Sequence, residues 1–417
     1  MAYAEKVYKV RNGRQTKQFT WRARYKKPDG TWGSEPGFET KKLAEAWGEE
    51  QESDIRAGRW IDPELKHKHF GVWAREWMKE KAPRGRTTTT RWERLERHIL
   101  PRWEHTPLIG ISWFDAENWA NGLDCDDSTA TQCLSVMSSI LTGAVDAKHL
   151  LVNPLFGRRR SRTAAAKAEI QKKDHTELWA PPEIVLQVAR RAGPRDGLHM
   201  LVTAFAGIRW GEGLALRKTS LTERRQAFDG GEFVCPTLSV VEEVAEYQPR
   251  DADGKKLPLV LGLEPVKTAE SKREIDLPPF LAVLLAEHAS AHVREFLFCT
   301  VGGKHWRRSN FGHQVMRRCA DGRDARLKSK GYAPRATWEP LMPGLTMRAL
   351  RHTHDTYQDQ IGVKPALAFE QAGHKRPGIK AVYQHPTPDM RRDRLDGLQE
   401  IYERAMTNLG WETVWQS

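Results

Sequence analysis

Cysteine is scarce in this chain: five in 417 residues, at positions 125, 133, 235, 299 and 319. They are odd in number and widely spaced, and no CxxC pair occurs. Neither a disulfide framework nor a zinc knuckle is supported. Long apolar runs are also missing. The longest, Leu277–Ala286, contains two prolines and falls far short of the ~20 residues that cross a bilayer. The opening MAYAEKVYKV has no apolar core of the kind a signal peptide needs. Acidic residues are too few to balance the basic ones, 54 against 67, so the net charge is +13. These absences set the expectation of a soluble, cytoplasmic chain, neither secreted nor inserted in a membrane. Its partner should be a polyanion, nucleic acid ahead of an anionic membrane. With 39% apolar and 29% charged residues a packed core is feasible. The length suggests two to four domains at about 100–200 residues each.

The pattern along the chain separates several units. Asn12-Gly13 and Asp29-Gly30 are hairpin turn signals. Between them Thr20–Lys26 alternates, with Trp21, Ala23 and Tyr25 on one face and Arg22, Arg24 and Lys26 on the other. A helix is predicted over 41–56, with Thr40 as its N-cap. Three strands on one helix would bury the aromatic face and turn the basic one outward. That face is either a reader of the DNA major groove or a solvated strand face. Residues 66–156 read as a helical bundle, with Phe70, Trp73, Trp77 and then Trp92, Leu95, Ile99 at helical spacing. These tryptophans are expected in the core rather than stacked on bases. Pro101 is expected to end the second helix. Residues 157–175 carry a dense basic run that includes Arg158, Arg159 and Arg160 and read as a tether, solvated or lying on phosphates. Residues 176–417 form the largest unit. It has helices near 182–192, 195–205 and 278–290, strand-like stretches at 232–246 and 257–277, and a long polar loop over 320–343.

Four short segments of that unit share a cationic character. In AFAGIRWGEGLAL, Glu212 stands three residues after Arg209, close enough on a helix to brace its guanidinium. An arginine held this way is oriented to fork onto two phosphate oxygens. In PVKTAESKREIDLP, Lys267 precedes a turn-forming stretch and Arg273 opens a returning strand, which puts Lys267 near a hairpin tip. In LTMRALRHTHDTY, Arg348 and Arg351 are three apart. In QAGHKRPGIKAVYQH, His374 follows a glycine and Tyr383 comes nine residues later.

Taken together, these segments closely resemble the active-site boxes of the tyrosine recombinases, or phage-type integrases. Gly207, Arg209 and Glu212 fit the first box. Lys267, Thr268, Ser271, Arg273, Leu277 and Pro278 fit the β-hairpin box. Leu350, Arg351, His352 and Thr353 fit the third, and Gly373, His374 and Tyr383 the fourth. Order and spacing agree over about 180 residues. The resemblance implies a multidomain, mainly α fold with small β-sheets. It would comprise an arm-type DNA-binding domain at 1–62 (a three-stranded sheet plus helix), a helical core-site-binding domain at 66–156, a basic linker at 157–175, and an α+β catalytic domain at 176–417.

The resemblance also implies a chemistry. Tyr383 would attack a DNA phosphodiester and hold a 3′-phosphotyrosyl link. Arg209, Arg348, Arg351 and His374 would stabilise the charge that gathers on the phosphate, Lys267 would protonate the departing 5′-oxygen, and Glu212 would support Arg209. No cofactor, metal or ATP is implied. The implied partners are double-stranded DNA with core and arm sites, further copies of the chain in a tetramer, and accessory bending or directionality proteins. One position departs: Arg348 stands where the third box usually opens with histidine. An arginine stays protonated at neutral pH and cannot act as a general base. His352 is expected on a different helix face from Arg348 and Arg351. Beyond Tyr383, Leu395, Leu398, Tyr402, Ala405 and Leu409 form an apolar stripe, for its own domain or for a neighbouring subunit. Two rival readings are a DNA-binding regulator without chemistry and a metal-dependent nuclease built on His352, His354 and Asp355.

Overall fold

Alternating side chains at 20–26 sort onto two faces of the second strand of an antiparallel sheet. The computed structural model describes residues 2–11, 14–63, 68–80, 85–161, 178–228, 231–251, 254–327, 333–375 and 385–415. It divides into two units, one made of Met1–Lys172 with Ala252–Gly254 and a second made of Lys173–Asp251 with Lys255–Ser417.

In the first unit, strands β1 (Tyr3–Arg11), β2 (Arg14–Lys26) and β3 (Trp32–Phe38) form a sheet in that order. Ala23 and Tyr25 are buried on the face that carries Trp21. Helix α1 (Lys41–Arg56) packs on it, and the Thr40 hydroxyl caps the helix by accepting from the Leu43 amide at 3.3 Å. Trp47 meets Tyr25 edge-on at 5.5 Å. The Asn12-Gly13 turn lies outside the described residues.

The bundle of the same unit contains α2 (Phe70–Glu80), α3 (Arg86–Arg94), α4 (Trp113–Asn121) and α5 (Asp127–Asp146). Phe70, Trp92, Leu95 and Ile99 are buried in its core, and Trp73 and Trp77 pack against it. Trp73 also donates from its indole to the Ile140 carbonyl at 2.9 Å. Pro101 does not end its helix. A π turn at Leu95–Ile99 lets the Leu100 amide bond to Leu95 O, and a further helical turn, Leu100–Trp103, carries the proline in its first positions. Proline is tolerated there because its missing N–H has no helical acceptor to satisfy.

The second unit is organised by α6 (Pro182–Ala206). Gly193 breaks its helical dihedrals at φ 82° just before Pro194, so the two helices expected at 182–192 and 195–205 meet at a kink. Its C-terminal half is buried, and Gly207 ends it in the left-handed conformation at φ 67°. Then follow α7 (Trp210–Ala215) and strands β4 (Leu221–Phe228), β5 (Gly231–Val240), β6 (Glu242–Tyr247), β7 (Val260–Pro265) and β8 (Arg273–Asp276). They form a β4-β5-β8 sheet and a β6-β7 pair. Val240 pairs with Arg273 and Glu242 with Pro265, so β7 and β8 are two halves of one returning strand. Residues 266–272 bulge out between them, and Thr268 caps their 3₁₀ turn by accepting from the Ser271 amide at 3.3 Å. Lys267 therefore sits on this mid-strand insertion and not at a hairpin tip.

Helices α8 (Pro279–Ser290), α9 (Arg308–Phe311), α10 (Met347–Gln360), α11 (Pro365–Ala372) and α12 (Pro388–Leu409) complete the unit. The apolar face of α12 is covered by its own unit: Leu398, Ile401, Ala405 and Met406 join the core, and Tyr402 stacks on Phe280 at 3.8 Å. Among the described residues no helix is long and apolar enough to cross a membrane. The chain thus has the expected fold class, mainly helical with small antiparallel sheets.

Candidate active site

Three segments end beside one another in the second unit, and each brings a charged or titratable group. The first is the entry to α7. Arg209 keeps an extended backbone as its N-cap, and Glu212, one turn in, accepts from the Arg209 amide at 2.9 Å and from its Nη1 at 2.7 Å. The bracing expected from the spacing exists, but it works across the cap and not along a helix face. The second segment is α10, which supplies Arg351. The third is the end of α11, where Gly373 turns left-handed at φ 63° and releases His374 from the helix.

Arg351 ties the three together. It donates from Nη1 to the Gly207 carbonyl and from Nη2 to Ala372 O at 2.8 Å, with His374 Nε2 at 3.5 Å from the same nitrogen. Arg209 Nη2 lies 3.5 Å from the Gly373 carbonyl. Burial, reinforced by the Arg209 charge, lowers Arg351 to about 10. Burial also lowers His374, followed by repulsion from Arg351 and Arg209, so its imidazole is neutral at pH 7. The tautomer in which Nε2 accepts from Arg351 is the one that carries the ring proton on Nδ1. Glu212 is only 1% exposed, and burial opposes its ionisation, yet hydrogen bonds from Arg273 and the Arg209 amide hold it at about 2. The pocket is thus a set of cations around one fully ionised, inaccessible carboxylate.

The other expected residues fall into place unevenly. Lys267 is exposed on the 266–272 insertion. Arg348 is exposed on α10 and donates from Nε to His352 Nε2 at 3.2 Å, so His352 shares its face, contrary to the expectation that it would project elsewhere. Residues four apart on a helix lie one above the other, and this pair shows it. Tyr383 lies outside the described residues. Arg273 fits the second box as a sequence match, but its role in the pocket was not legible: it is the buried partner of Glu212. The nuclease reading loses its geometry. His354 is buried beneath Gly207, whose Cβ position would lie 2.3 Å from its ring, while His352 is near the surface with Arg348.

In the first unit the basic residues are more constrained than the sequence suggests. Arg22 and Arg24 both reach Glu5 Oε1, at 3.2 and 3.0 Å, while Lys26 is exposed. Arg160 is not part of a tether. Its side chain is 11% exposed and bonds Asp127 Oδ1 at 2.9 Å and Asn121 Oδ1 at 2.6 Å. Arg158 and Arg159 are exposed beside it. Residues 162–177, most of the expected linker, lie outside the described residues.

No family model matches the chain. Among curated proteins it is 23% identical over 361 residues to the integrase of Mycobacterium phage D29, covering 83% of this chain and 84% of that protein. It is 22% identical over 401 residues to a putative prophage phiRv2 integrase of Mycobacterium tuberculosis, covering 94% and 95%. Among solved structures, the Tn1549 transposon integrase in complex with transposon right end DNA superposes with a TM-score of 0.51 at 17% identity, over 80% of this chain and 100% of that one. At that identity the likeness is one of fold.

Proposed function

We propose that the chain is a tyrosine recombinase of the phage-type integrase family, a site-specific recombinase that cuts and rejoins DNA of a phage or mobile element through a 3′-phosphotyrosyl intermediate. The observation that carries the reading is the convergence of Arg209, Arg351 and His374 within hydrogen-bonding reach of the Gly207, Ala372 and Gly373 carbonyls, with Glu212 bracing Arg209.

The reaction suits these groups. The Tyr383 phenol oxygen attacks phosphorus, the bond to the 5′-oxygen breaks, and the DNA 3′-phosphate is carried on the tyrosine. Negative charge rises on the non-bridging oxygens as the attack proceeds. Fixed donors aimed at such charge contribute about 10²–10³ in rate apiece. Arg209 and Arg351 supply that charge, His374 donates from Nδ1, and Arg348 adds a cation at the rim. Lys267, on a solvent-facing insertion, delivers a proton to the departing 5′-oxygen. A free phenol has a pKa of about 10, and arginine charge at the phosphate it attacks favours its ionised form. The phosphotyrosyl ester keeps the energy of the broken bond, so a second 5′-hydroxyl reverses the step without ATP. Because arginines neutralise the phosphate, the step needs no metal ion.

In this reading 1–62 binds arm-type sites through Arg22, Arg24 and Lys26, 66–156 grips the core site, and 157–175 tracks phosphates with Arg158 and Arg159. The residues from 176 onward perform the chemistry. Four copies assemble on double-stranded DNA in the cytoplasm of a bacterial host, with accessory bending or directionality proteins setting the direction. The integrase relatives in mycobacteria and their phages, and the DNA bound in the Tn1549 structure, support this partner. The rival, a regulator without chemistry, has no use for a braced Arg209 beside Arg351 and a neutral His374.

The test is covalent capture. The protein is incubated with genomic DNA fragments and denatured, and the DNA that stays attached is sequenced. Adducts at a recurring sequence are expected from the native protein. Tyr383→Phe should give none while binding the recovered duplex with nearly unchanged affinity. Adducts from that variant would remove the proposed nucleophile.

A further inference from the structure

Arg273 lies beneath the pocket, 8% exposed, and cannot touch DNA. Its hydrogen bonds are nonetheless shared among three separate segments around the site: the entry to α7, the end of α11 and the 266–272 insertion. Nη1 and Nη2 fork onto the two Glu212 oxygens at 3.1 and 3.0 Å, Nε donates to the Gln371 carbonyl at 2.8 Å, and Nη1 also donates to Ser271 O at 3.0 Å. Glu212 belongs to the entry of α7, Gln371 to the end of α11, and Ser271 to the insertion that bears Lys267. These segments are far apart in sequence, and a planar guanidinium fixes their relative geometry better than an ammonium could. The fit is tight: a Cβ at Gly373 would stand 3.1 Å from Arg273 Cδ, and the Gly373 carbonyl is the one facing Arg209.

Charge accounts for a second effect. Glu212 serves two guanidiniums of different standing. Arg273 gives it two bonds, at 3.1 and 3.0 Å, and is buried; Arg209 gives it one side-chain bond, at 2.7 Å, and remains 32% exposed, with its Nη2 held only by a long 3.5 Å approach to the Gly373 carbonyl. A buried carboxylate needs its charge matched. Because Arg273 provides most of that match, Arg209 is not drawn wholly inward.

We propose that Arg273 is a positioning residue for the cleavage reaction: by neutralising Glu212 and binding the Gln371 and Ser271 carbonyls, it keeps Arg209 free to meet the scissile phosphate and holds His374 and the Lys267 insertion at their working distances. This rests on the recombinase reading, and the experiment separates the two. Full-length protein is compared as native, Arg273→Met, Glu212→Gln and the double variant. The probe is a duplex whose sequence is recovered from the trapped adducts, nicked beside the scissile phosphate so that cleavage cannot reverse. Gel shift gives affinity, single-turnover adduct formation gives the chemical rate, and thermal melting checks folding.

Arg273→Met should bind the duplex within about threefold of native and form the adduct ~10²-fold more slowly, the order expected when reacting groups shift by about 1 Å. Adding Glu212→Gln should restore at least tenfold of that loss, because a neutral amide no longer claims Arg209. A residue that only stabilises the fold would not be rescued by removing its partner's charge. An Arg273→Met rate equal to native, or a folded double variant no faster than the single one, overturns the proposal. Should Arg273→Met fail to melt cooperatively, Arg273→Lys keeps the charge without the fork. It should be slow at unchanged affinity, and a native rate there is equally fatal. If the native protein forms no adduct on any DNA, the recombinase reading falls first and this inference with it.

Discussion

Arg348 and His352 form a pair one turn apart on α10, Nε to Nε2 at 3.2 Å, at the position where a recombinase's third box usually opens with histidine. His352, the second histidine of that box, therefore lies beside the arginine that replaces the first. Restoring the usual residue should be tolerated. Arg348→His is expected to keep covalent adduct formation within about tenfold of native, since it removes one of several donors and returns a titratable ring. Single-turnover cleavage of the recovered duplex measures it. Complete loss would show that the guanidinium has a role a ring cannot fill.

What was legible in the sequence was mostly local. The Thr40 cap, the alternation of Trp21, Ala23 and Tyr25, and the Arg209–Glu212 spacing each depend on residues within one turn or strand, and all three formed. The expectations that changed depend on distant partners. Arg160 reads as one of a run of cations until Asp127 and Asn121 reach it across the bundle. Lys267 reads as a hairpin tip because the sequence does not show that the β7 half pairs with β6 and the β8 half with β5. Arg273 reads as one more basic strand residue until Glu212, 61 positions away, faces it. Pro101 misled for a local reason of another kind, since a π turn at Leu95–Ile99 precedes it and the helix continues to Trp103.

The basic residues around 158–160 should separate into two classes. Arg160→Ala breaks nearly buried charged hydrogen bonds to Asp127 and Asn121 and is expected to cost about 1.5–3 kcal/mol, seen in the thermal melt. Arg158→Ala and Arg159→Ala, at exposed positions, should leave the melt unchanged. Each should lower the slope of log affinity against log salt by about one. The reverse assignment, with Arg160 controlling salt dependence, would contradict its position.

Glu5 restrains the basic sheet face of the first unit by holding Arg22 and Arg24 on one oxygen. Glu5→Gln removes that carboxylate from a surface proposed to meet phosphates. Affinity for arm-type DNA should rise and the salt slope should steepen by about one. Unchanged binding across a salt titration would mean that this face is merely solvated.

Acid sensitivity should arise in part from a ring that never reaches the pocket. His199 lies between Phe298 and Trp210, at 4.7 and 5.1 Å, and among the described residues neither ring nitrogen has a partner. Burial lowers it to about 3, against an ordinary 6.5. Between those values the unfolded chain binds the proton and the folded one does not. Its contribution is therefore complete above pH 6.5 and is lost as pH falls toward 3, at up to about 1.4 kcal/mol per pH unit. Urea unfolding followed from pH 7 to 5 should show that slope, and His199→Phe should reduce it whatever the variant's absolute stability, the remainder falling to the equally buried His354, also lowered to about 3. A slope in the variant undiminished from that of the native protein would show that His199 contributes none of it.

The most consequential charge outside the pocket is Asp276. It is buried and accepts from Arg224 Nε at 2.6 Å, Arg391 Nη1 at 2.8 Å and Arg394 Nη2 at 3.1 Å, so β8 anchors α12 through a single carboxylate. Burial works against its ionisation, but Arg394 and then Arg391 outweigh that and hold it below its ordinary value. Arg394 is fully enclosed and turns its other Nη to Gln371 Oε1 at 2.6 Å, the residue whose carbonyl Arg273 holds. Asp276→Asn keeps the shape and removes the charge, which leaves the Arg394 guanidinium inside without a counterion. Breaking a buried pair from one side costs about 3–5 kcal/mol, whereas replacing both members by groups of similar size is close to neutral. Asp276→Asn should therefore lower the urea midpoint sharply, and Asp276→Asn with Arg394→Met should recover much of the loss. If the single variant unfolds with the native protein, α12 is held by its apolar face alone and the charge cluster does not fix its position. If the double variant is weaker than the single one, the Arg394 bond to Gln371 matters more than its charge balance, and α12 is tied chiefly to the end of α11.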